Sequence, residues 1–332
     1  MTAAGDRGGR ELDGALPGAS SLPQPPAAAG TSWKATPADR LATTTPGSGA
    51  ILGVDLGGTQ VRVGKVRGSA LERSTAAPIS RLARAEVVAG EVYRAIDAVF
   101  DDEVTGIGCG VPSVVDVERG VVYGVENIPS WREVPLRDDL ERRYGVPAYI
   151  NNDANAFAVG ELYFGAGRGC RHLVAISLGT GLGSGIVVDG KLYSGANCGA
   201  GEIGAVPYRD HTIEYYCAGG FFQREAGVRG EEVFRRAHEG DPAAIKLLGD
   251  YGFELGHAIL IALLAYDPQL VVLGGSISAA LPFFEARMRE RLSEYPWQHV
   301  IENLRIVRSE VENVAIRGAA ALYLDARNGA VA

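Results

Sequence analysis

The chain has 332 residues, 46% hydrophobic and 22% charged, enough to bury a large core and more readily arranged as two lobes than as one. A formal charge of −8 argues against a nucleic-acid partner, because such binders neutralise phosphates with a basic face. The four cysteines, Cys109, Cys170, Cys198 and Cys217, form no C-x-x-C pair, so neither a disulfide framework nor a cysteine-rich metal site is suggested and a cytoplasmic setting is expected.

Residues 1 to 49 are rich in Pro, Ala and Gly without apolar periodicity, the composition of a disordered tail. They carry no apolar signal core, and Asp6, Glu11, Asp13 and Asp39 argue against a transit peptide. No later run reads as long and apolar enough to span a membrane.

Order begins at "ILGVDLGGTQVRVGKV", Ile51 to Val66, a strand, a glycine turn and a second strand. Gly57 and Gly58 remove the side chains that would keep a phosphate from backbone N–H groups. A plain glycine hairpin would not call for the flanking Asp55 and Thr59, where a carboxylate can reach a hydrated Mg²⁺ and a hydroxyl can donate to a phosphate. The spacing then predicts helices over Glu86 to Phe100 and Leu136 to Tyr144, and strands over Val104 to Cys109 and Pro147 to Ile150. The acidic run Asp101 to Glu103 reads as a solvated turn.

"YINNDANAF", Tyr149 to Phe157, sets one carboxylate among three side-chain amides between a strand and a helix. Such segments commonly cap helices, since Asp and Asn accept from the first-turn N–H groups. The same carboxylate could instead be a general base held at the mouth of a sheet. Both readings stay open on these residues alone.

The strand-turn-strand device recurs at "LVAISLGTGLGSGIVVDGKL", Leu173 to Leu192, and a third glycine pair, Gly274 and Gly275, ends the apolar strand Leu270 to Gly275. Two such hairpins suggest a duplicated fold with a nucleotide between its turns. Pro242 to Tyr266 is predicted as a long helix stopped at Asp267 and Pro268, followed by helices over Leu281 to Tyr295 and Val314 to Asp325. The fold class is α/β.

Taken together, "VDLGGT", "GVPSVVDVERGVV", "ENIPSW", "YINNDANAFAVGE", "SLGTGLGSGIVVDGKL" and "GAGEIG" resemble, in order and spacing, the ROK family of sugar kinases and sugar-responsive repressors, over residues 50 to 328. The resemblance implies a two-lobed actin-like, hexokinase-like (ribonuclease H-like) ATPase fold. It places an N-terminal lobe at 50–150 plus about 312–330, with the last helix packed back on it, and a C-terminal lobe at 151–311. It also implies that Asp153 is the base that takes the proton of the attacking sugar hydroxyl. Asn127, Asn152, Glu202 and Glu214 match sugar contacts; Gly57, Gly58, Thr59, Gly179, Thr180 and Gly181 match phosphate loops; Gly274 and Gly275 match nucleotide-side glycines. ATP and Mg²⁺, the latter near Asp55, are the implied cofactors, and a homodimer or homotetramer is the implied assembly.

The chain also departs from the family. Ala205 stands where family members usually carry a His, the cysteine-rich zinc loop that follows there is missing, and Ser113 replaces the Gly of "GVPG", which is expected to narrow the sugar pocket. Only His211 and Cys217 lie between Ala205 and Gly219, too few for a four-ligand zinc site, so no zinc is expected and packing of Tyr208, Tyr215 and Tyr216 should fix the loop. Cys217 reads as a buried small residue, His211 as a solvated loop residue and His257 as a packing residue. The expected activity is phosphorylation of a hexose, glucose first, at the 6-hydroxyl. A kinase for N-acetylglucosamine, N-acetylmannosamine or fructose would share every residue named, and polyphosphate could replace ATP. A repressor would need a helix-turn-helix, which the Pro-rich tail does not offer. A non-catalytic sugar-binding regulator is disfavoured by the intact base and phosphate loops.

Removing residues 1 to 48 is expected to leave activity and melting temperature nearly unchanged, because a segment without apolar periodicity contributes little buried surface. A large loss of either would show that the tail docks.

Overall fold

The computed structural model describes residues 49–125 and 127–329; the expected tail lies outside the described residues apart from its last position. The chain opens with β1 (Ala50–Leu56), β2 (Gln60–Arg67), β3 (Ala70–Pro78), α1 (Ala85–Asp97) and β4 (Val104–Val111). A small antiparallel sheet of β5 (Val114–Asp116), β6 (Val121–Tyr123) and β7 (Glu133–Val134) follows, then α2 (Leu136–Tyr144), β8 (Ala148–Asn152) and α3 (Asp153–Phe164). Next come β9 (Leu173–Leu178), β10 (Leu182–Val188), β11 (Lys191–Leu192), the short hairpin of β12 (Pro207–Tyr208) and β13 (His211–Thr212), and helices α4 (Ile213–Cys217), α5 (Gly220–Ala226), α6 (Gly230–His238) and α7 (Pro242–Tyr266). The chain closes with β14 (Leu270–Gly274), α8 (Leu281–Leu292), α9 (Gln298–Asn303), β15 (Arg305–Arg308) and α10 (Val314–Gly329).

The two five-stranded sheets share one plan. The first runs β3-β2-β1-β4-β8 and the second β11-β10-β9-β14-β15; in each, the first two pairings are antiparallel and the last two parallel. Both predicted glycine hairpins are therefore the β1–β2 and β9–β10 turns, at equivalent places in the duplicate.

One face of the first sheet packs Leu52, Val54, Ile107 and Cys109 against Val88, Val92 and Ile96 of α1 and Leu140 of α2. Its other face is nearly bare of side chains where α10 crosses it: a Cβ at Gly53 would overlap the Ile316 carbonyl oxygen, and one at Gly108 that of Ala319. The helix backbone therefore lies directly on the strands. The second sheet is built alike, since Ala175, Val187, Leu270 and Val272 meet Phe157, Ala158 and Leu162 of α3, while Val174, Ile176, Val271 and Leu273 meet α7 and α8 on the opposite face. Helices α3 and α10 pack against each other between the sheets through Ala156, Val159, Ala321 and Leu322.

Two expectations need correction. α7 is long and apolar enough to cross a membrane, but 61% of its most apolar stretch is buried in the protein, because it is the core helix of the second sheet's outer layer. The acidic run 101–103 is not merely solvated: Asp101 and Glu103 both accept from the buried ammonium of Lys65.

Gly108→Ala should overpack the α10 contact and cost about 3 kcal/mol, read as a lowered denaturation midpoint. An unchanged midpoint would show that α10 can lift off its strands without loss.

Candidate active site

In the stretch from Asn151 to Asn155 the capping role falls to Asn152 and not to Asp153. Asn152 is the N-cap of α3, its side-chain oxygen accepting from Ala154 N at 2.8 Å and Asn155 N at 3.4 Å. Its amide nitrogen donates to the Ser113 carbonyl at 3.3 Å, which leaves one amide hydrogen for a ligand. Asn151, fully buried, accepts from Asn152 N, from Asn155 Nδ2 at 2.9 Å and from Cys198 Sγ at 3.1 Å. Asp153 is thereby released from capping and becomes the first residue of the helix, its side chain open to solvent.

Register carries the cleft's carboxylates together. One row crosses the first sheet through Arg62, Asp55, Gly110 and Asn151. A Cβ at Gly110 would lie 3.6 Å from Asp153 Cα, so at this row Gly110 puts no side chain of its own between β4 and the start of α3. Asp153 is open to solvent yet flanked by protein, and the resulting loss of hydration, with the charges of Asp55 and Glu202, pushes its carboxyl up to about 6. Burial likewise raises the Asp55 carboxyl, partly opposed by Arg62.

The glycine turns close on this cluster. Gly57 N–H bonds Gln60 O at 2.9 Å to shape the β1–β2 turn, and a Cβ at Gly58 would press on Asn127 Cβ at 2.7 Å, so Asn127 lies over that turn beside the exposed Thr59. On the second turn Gly179 N–H bonds Gly181 O at 3.0 Å, and a Cβ at Gly183 would lie 3.0 Å from Ala154 Cβ, one residue from Asp153. Gly275 adopts φ 79° with its backbone against Leu178, a close approach that a Cβ would forbid; Gly274 sits against the Phe157 ring.

Glu202 and Glu214 part company here. Glu202, exposed ahead of a short 3₁₀ turn, is near enough to Asp153 to act on its charge. Glu214 on α4 instead accepts from Leu182 N at 2.9 Å and lies against Gly181, so its carboxylate holds the second glycine turn. Ser113, expected to narrow the sugar pocket, turns its hydroxyl onto the Tyr123 carbonyl.

Motif reading missed a cavity of about 400 Å³ beside Gly179 and Thr180, walled by Phe222, Phe234, Leu248, Ile277 and Ala280 with Arg229 at its rim. Its apolar walls come from separate elements. The sequence signal at its edge was the Gly179 and Thr180 turn, which lines it; nothing marked the apolar walls.

Metal fit follows from the donors. Asp55 Oδ2 lies 2.8 Å from Arg62 Nε but out of line, so this buried oxygen has no hydrogen-bond donor. A buried carboxylate oxygen without a donor, beside two further carboxylates, suits a hydrated Mg²⁺ that takes most of its ligands from water and phosphate. Among the described residues no cluster of three or more His, Cys, Asp or Glu is arranged to hold a metal. Cys217 is buried, and His211 is exposed as expected, its ring also stacking on Tyr215 with ring centres 3.8 Å apart.

The ROK family profile matches residues 51–326. The chain belongs to the ROK family. It is 30% identical to the glucokinase of Thermotoga maritima over 84% of this chain and 98% of that protein. It is 26% identical to a ROK family glucokinase from Streptomyces griseus solved with glucose and AMPPNP, with a TM-score of 0.70 over 82% of this chain and 99% of that one. It is also 26% identical to the xylose repressor of Bacillus subtilis, over 66% of this chain and 61% of that protein. The ROK chain has the actin-like, hexokinase-like fold, with its duplicated sheets and interposed helices.

Asp153→Asn should reduce turnover by on the order of 10² or more while sugar binding persists, because the amide keeps a hydrogen bond and cannot take a proton. The folded-state pKa of about 6 lies above the ordinary 3.8, so the stability linked to this group is fully present below pH 3.8 and lost as pH rises through 6. At pH 7.5 Asp153→Asn should therefore melt no lower than the parent. Near-parental turnover, or a lowered melting temperature, would return Asp153 to a structural role.

Proposed function

We propose that the protein is an ATP- and Mg²⁺-dependent sugar kinase acting on the 6-hydroxyl of a hexose, with glucose the first substrate. The observation that carries this reading is the placement of the Asp153 carboxyl, open to solvent at the first turn of α3 beside two glycine turns and raised to about 6 by loss of hydration and its carboxylate neighbours. The reading takes the sheets as two lobes, 50–150 with about 312–330 and 151–311, closing on that carboxyl.

In the proposed reaction the sugar hydroxyl donates to Asp153, which takes the proton as the oxygen attacks the terminal phosphorus and the bond to the leaving diphosphate breaks. Backbone N–H groups of Gly58, Thr59, Thr180 and Gly181 donate to the phosphate oxygens in turns that the Gly57 and Gly179 N–H bonds shape, and Asn127, Asn152 and Glu202 orient the sugar. Glu214 acts through the second turn. Asp55 would hold a hydrated Mg²⁺, which when bound would neutralise phosphate charge. The apolar walls of the cavity beside Thr180 favour a flat nucleotide base over polyphosphate, which would gain nothing from Phe222, Phe234 or Ile277.

A second reading, a sugar-responsive regulator without turnover, is favoured by the similarity to the xylose repressor. Coupled ADP release over glucose, mannose, fructose, N-acetylglucosamine and N-acetylmannosamine separates the two. Turnover on at least one sugar, with kcat/KM rising with pH through about 6 as Asp153 loses its proton, is expected. Sugar binding without turnover on any sugar would favour the regulator.

A further inference from the structure

Arg62 stands directly opposite Asp55 across the β1–β2 pair, and both flank the glycine turn. Its side chain is 46% exposed while that of Asp55 is 10% exposed, so a half-exposed cation covers a buried anion. The pairing is incomplete, since Asp55 Oδ2 lies 2.8 Å from Arg62 Nε yet receives no aligned hydrogen bond. Among the described residues, Arg62 is the cation paired with this acidic cluster, and Asp153 and Glu202 have no ion-pair partner.

Three carboxylates with one loosely held guanidinium leave excess negative charge where an anionic donor must enter. A divalent cation with its phosphates would satisfy Asp55 better than a misaligned arginine does. Arg62, once displaced, has its head beside a turn three residues long, where the phosphates are expected to lie. An arginine fork suits phosphate oxygens in pairs.

We infer that Arg62 is an exchangeable counter-ion: it neutralises Asp55 in the nucleotide-free protein, yields that carboxylate to the divalent cation, and moves onto the terminal phosphate of the donor. The inference rests on the kinase reading for its second half only. The first half concerns Arg62 and Asp55 alone.

The test has two arms on the full chain. In the first, melting temperature is followed against MgCl₂ without nucleotide or sugar. Arg62→Ala should melt several degrees below the parent without Mg²⁺, because it strands a buried carboxylate, and should regain most of that loss as Mg²⁺ rises, while the parent shifts little. The double variant Arg62→Ala, Asp55→Asn should lose the Mg²⁺ response. In the second arm, Arg62→Ala should lower kcat by on the order of 10² with the sugar KM nearly unchanged, and Arg62→Lys should restore part of it. Equal Mg²⁺ responses in parent and Arg62→Ala would overturn the exchange at Asp55, and an unchanged kcat would overturn the move to phosphate. A parent without turnover on any sugar would fail the kinase reading and, with it, the move to phosphate; the melting arm would still decide the exchange.

Discussion

The close crossing of α3 and α10 is the contact on which the site depends. A Cβ at Gly318 would overlap the Ala156 carbonyl, and one at Gly160 would lie 3.0 Å from Gly318 Cα, so the two helices meet backbone to backbone. Each then rests on a sheet through further glycines: α10 on Gly53 and Gly108, and α3 on Gly185, where a Cβ would lie 2.6 Å from the Ala154 carbonyl oxygen. Both sheets are thereby held at fixed distances from one helix pair. Asp153, at the first turn of α3, sits where the two glycine turns converge, so its position is inherited from this packing rather than from its own loop.

That placement has an electrostatic consequence. Three carboxylates meet where protein walls limit hydration, and the charges of Asp55 and Glu202 add to the cost of ionising Asp153. The fold tolerates this because Asn152 and the Asn151 network take over the helix-capping work that a carboxylate would otherwise do. A carboxyl raised toward neutrality is the result of moving the cap by one residue. The same crowding accounts for a guanidinium across from Asp55.

Much of this was legible in the sequence. The helices Leu136–Tyr144 and Pro242–Tyr266 have the bounds their periodicity and stop signals imply, and both glycine hairpins form where paired glycines interrupt apolar runs. Less legible was anything that depends on register. Arg62 occupies an exposed position in an alternating strand and reads as a solvent-facing residue until β1 is laid beside it. Gly53 and Gly108 read as weak points in strands, because their purpose is a helix more than 200 residues later in the chain. Phe222, Phe234, Leu248 and Ile277 face one cavity from elements with no shared motif. Glu214 aligned with a sugar contact, yet its carboxylate is drawn to Leu182 N because α4 starts beside the second turn.

The segment 206–217 is set by packing of aromatic rings and one ion pair. Tyr208 stacks on His257 of α7 at 4.3 Å and meets Tyr216 edge-on at 5.3 Å, while Tyr215 and Tyr216 meet at 5.0 Å. Arg209 lies over Tyr208 and Tyr216 and pairs with the largely buried Glu254 of α7 at 2.9 Å. Each ring contact or cation–π pair contributes about 0.5–1.5 kcal/mol, so together they supply a few kcal/mol, well below the roughly 10 kcal/mol or more of a structural zinc site. A loop held that weakly cannot by itself fix a distant carboxylate to within a fraction of an ångström. The Glu214 bond to Leu182 N supplies what the rings do not, because it ties the loop to the glycine turn and not only to α7. The aromatic cluster therefore sets which face α4 presents, and the turn sets where its carboxylate stops.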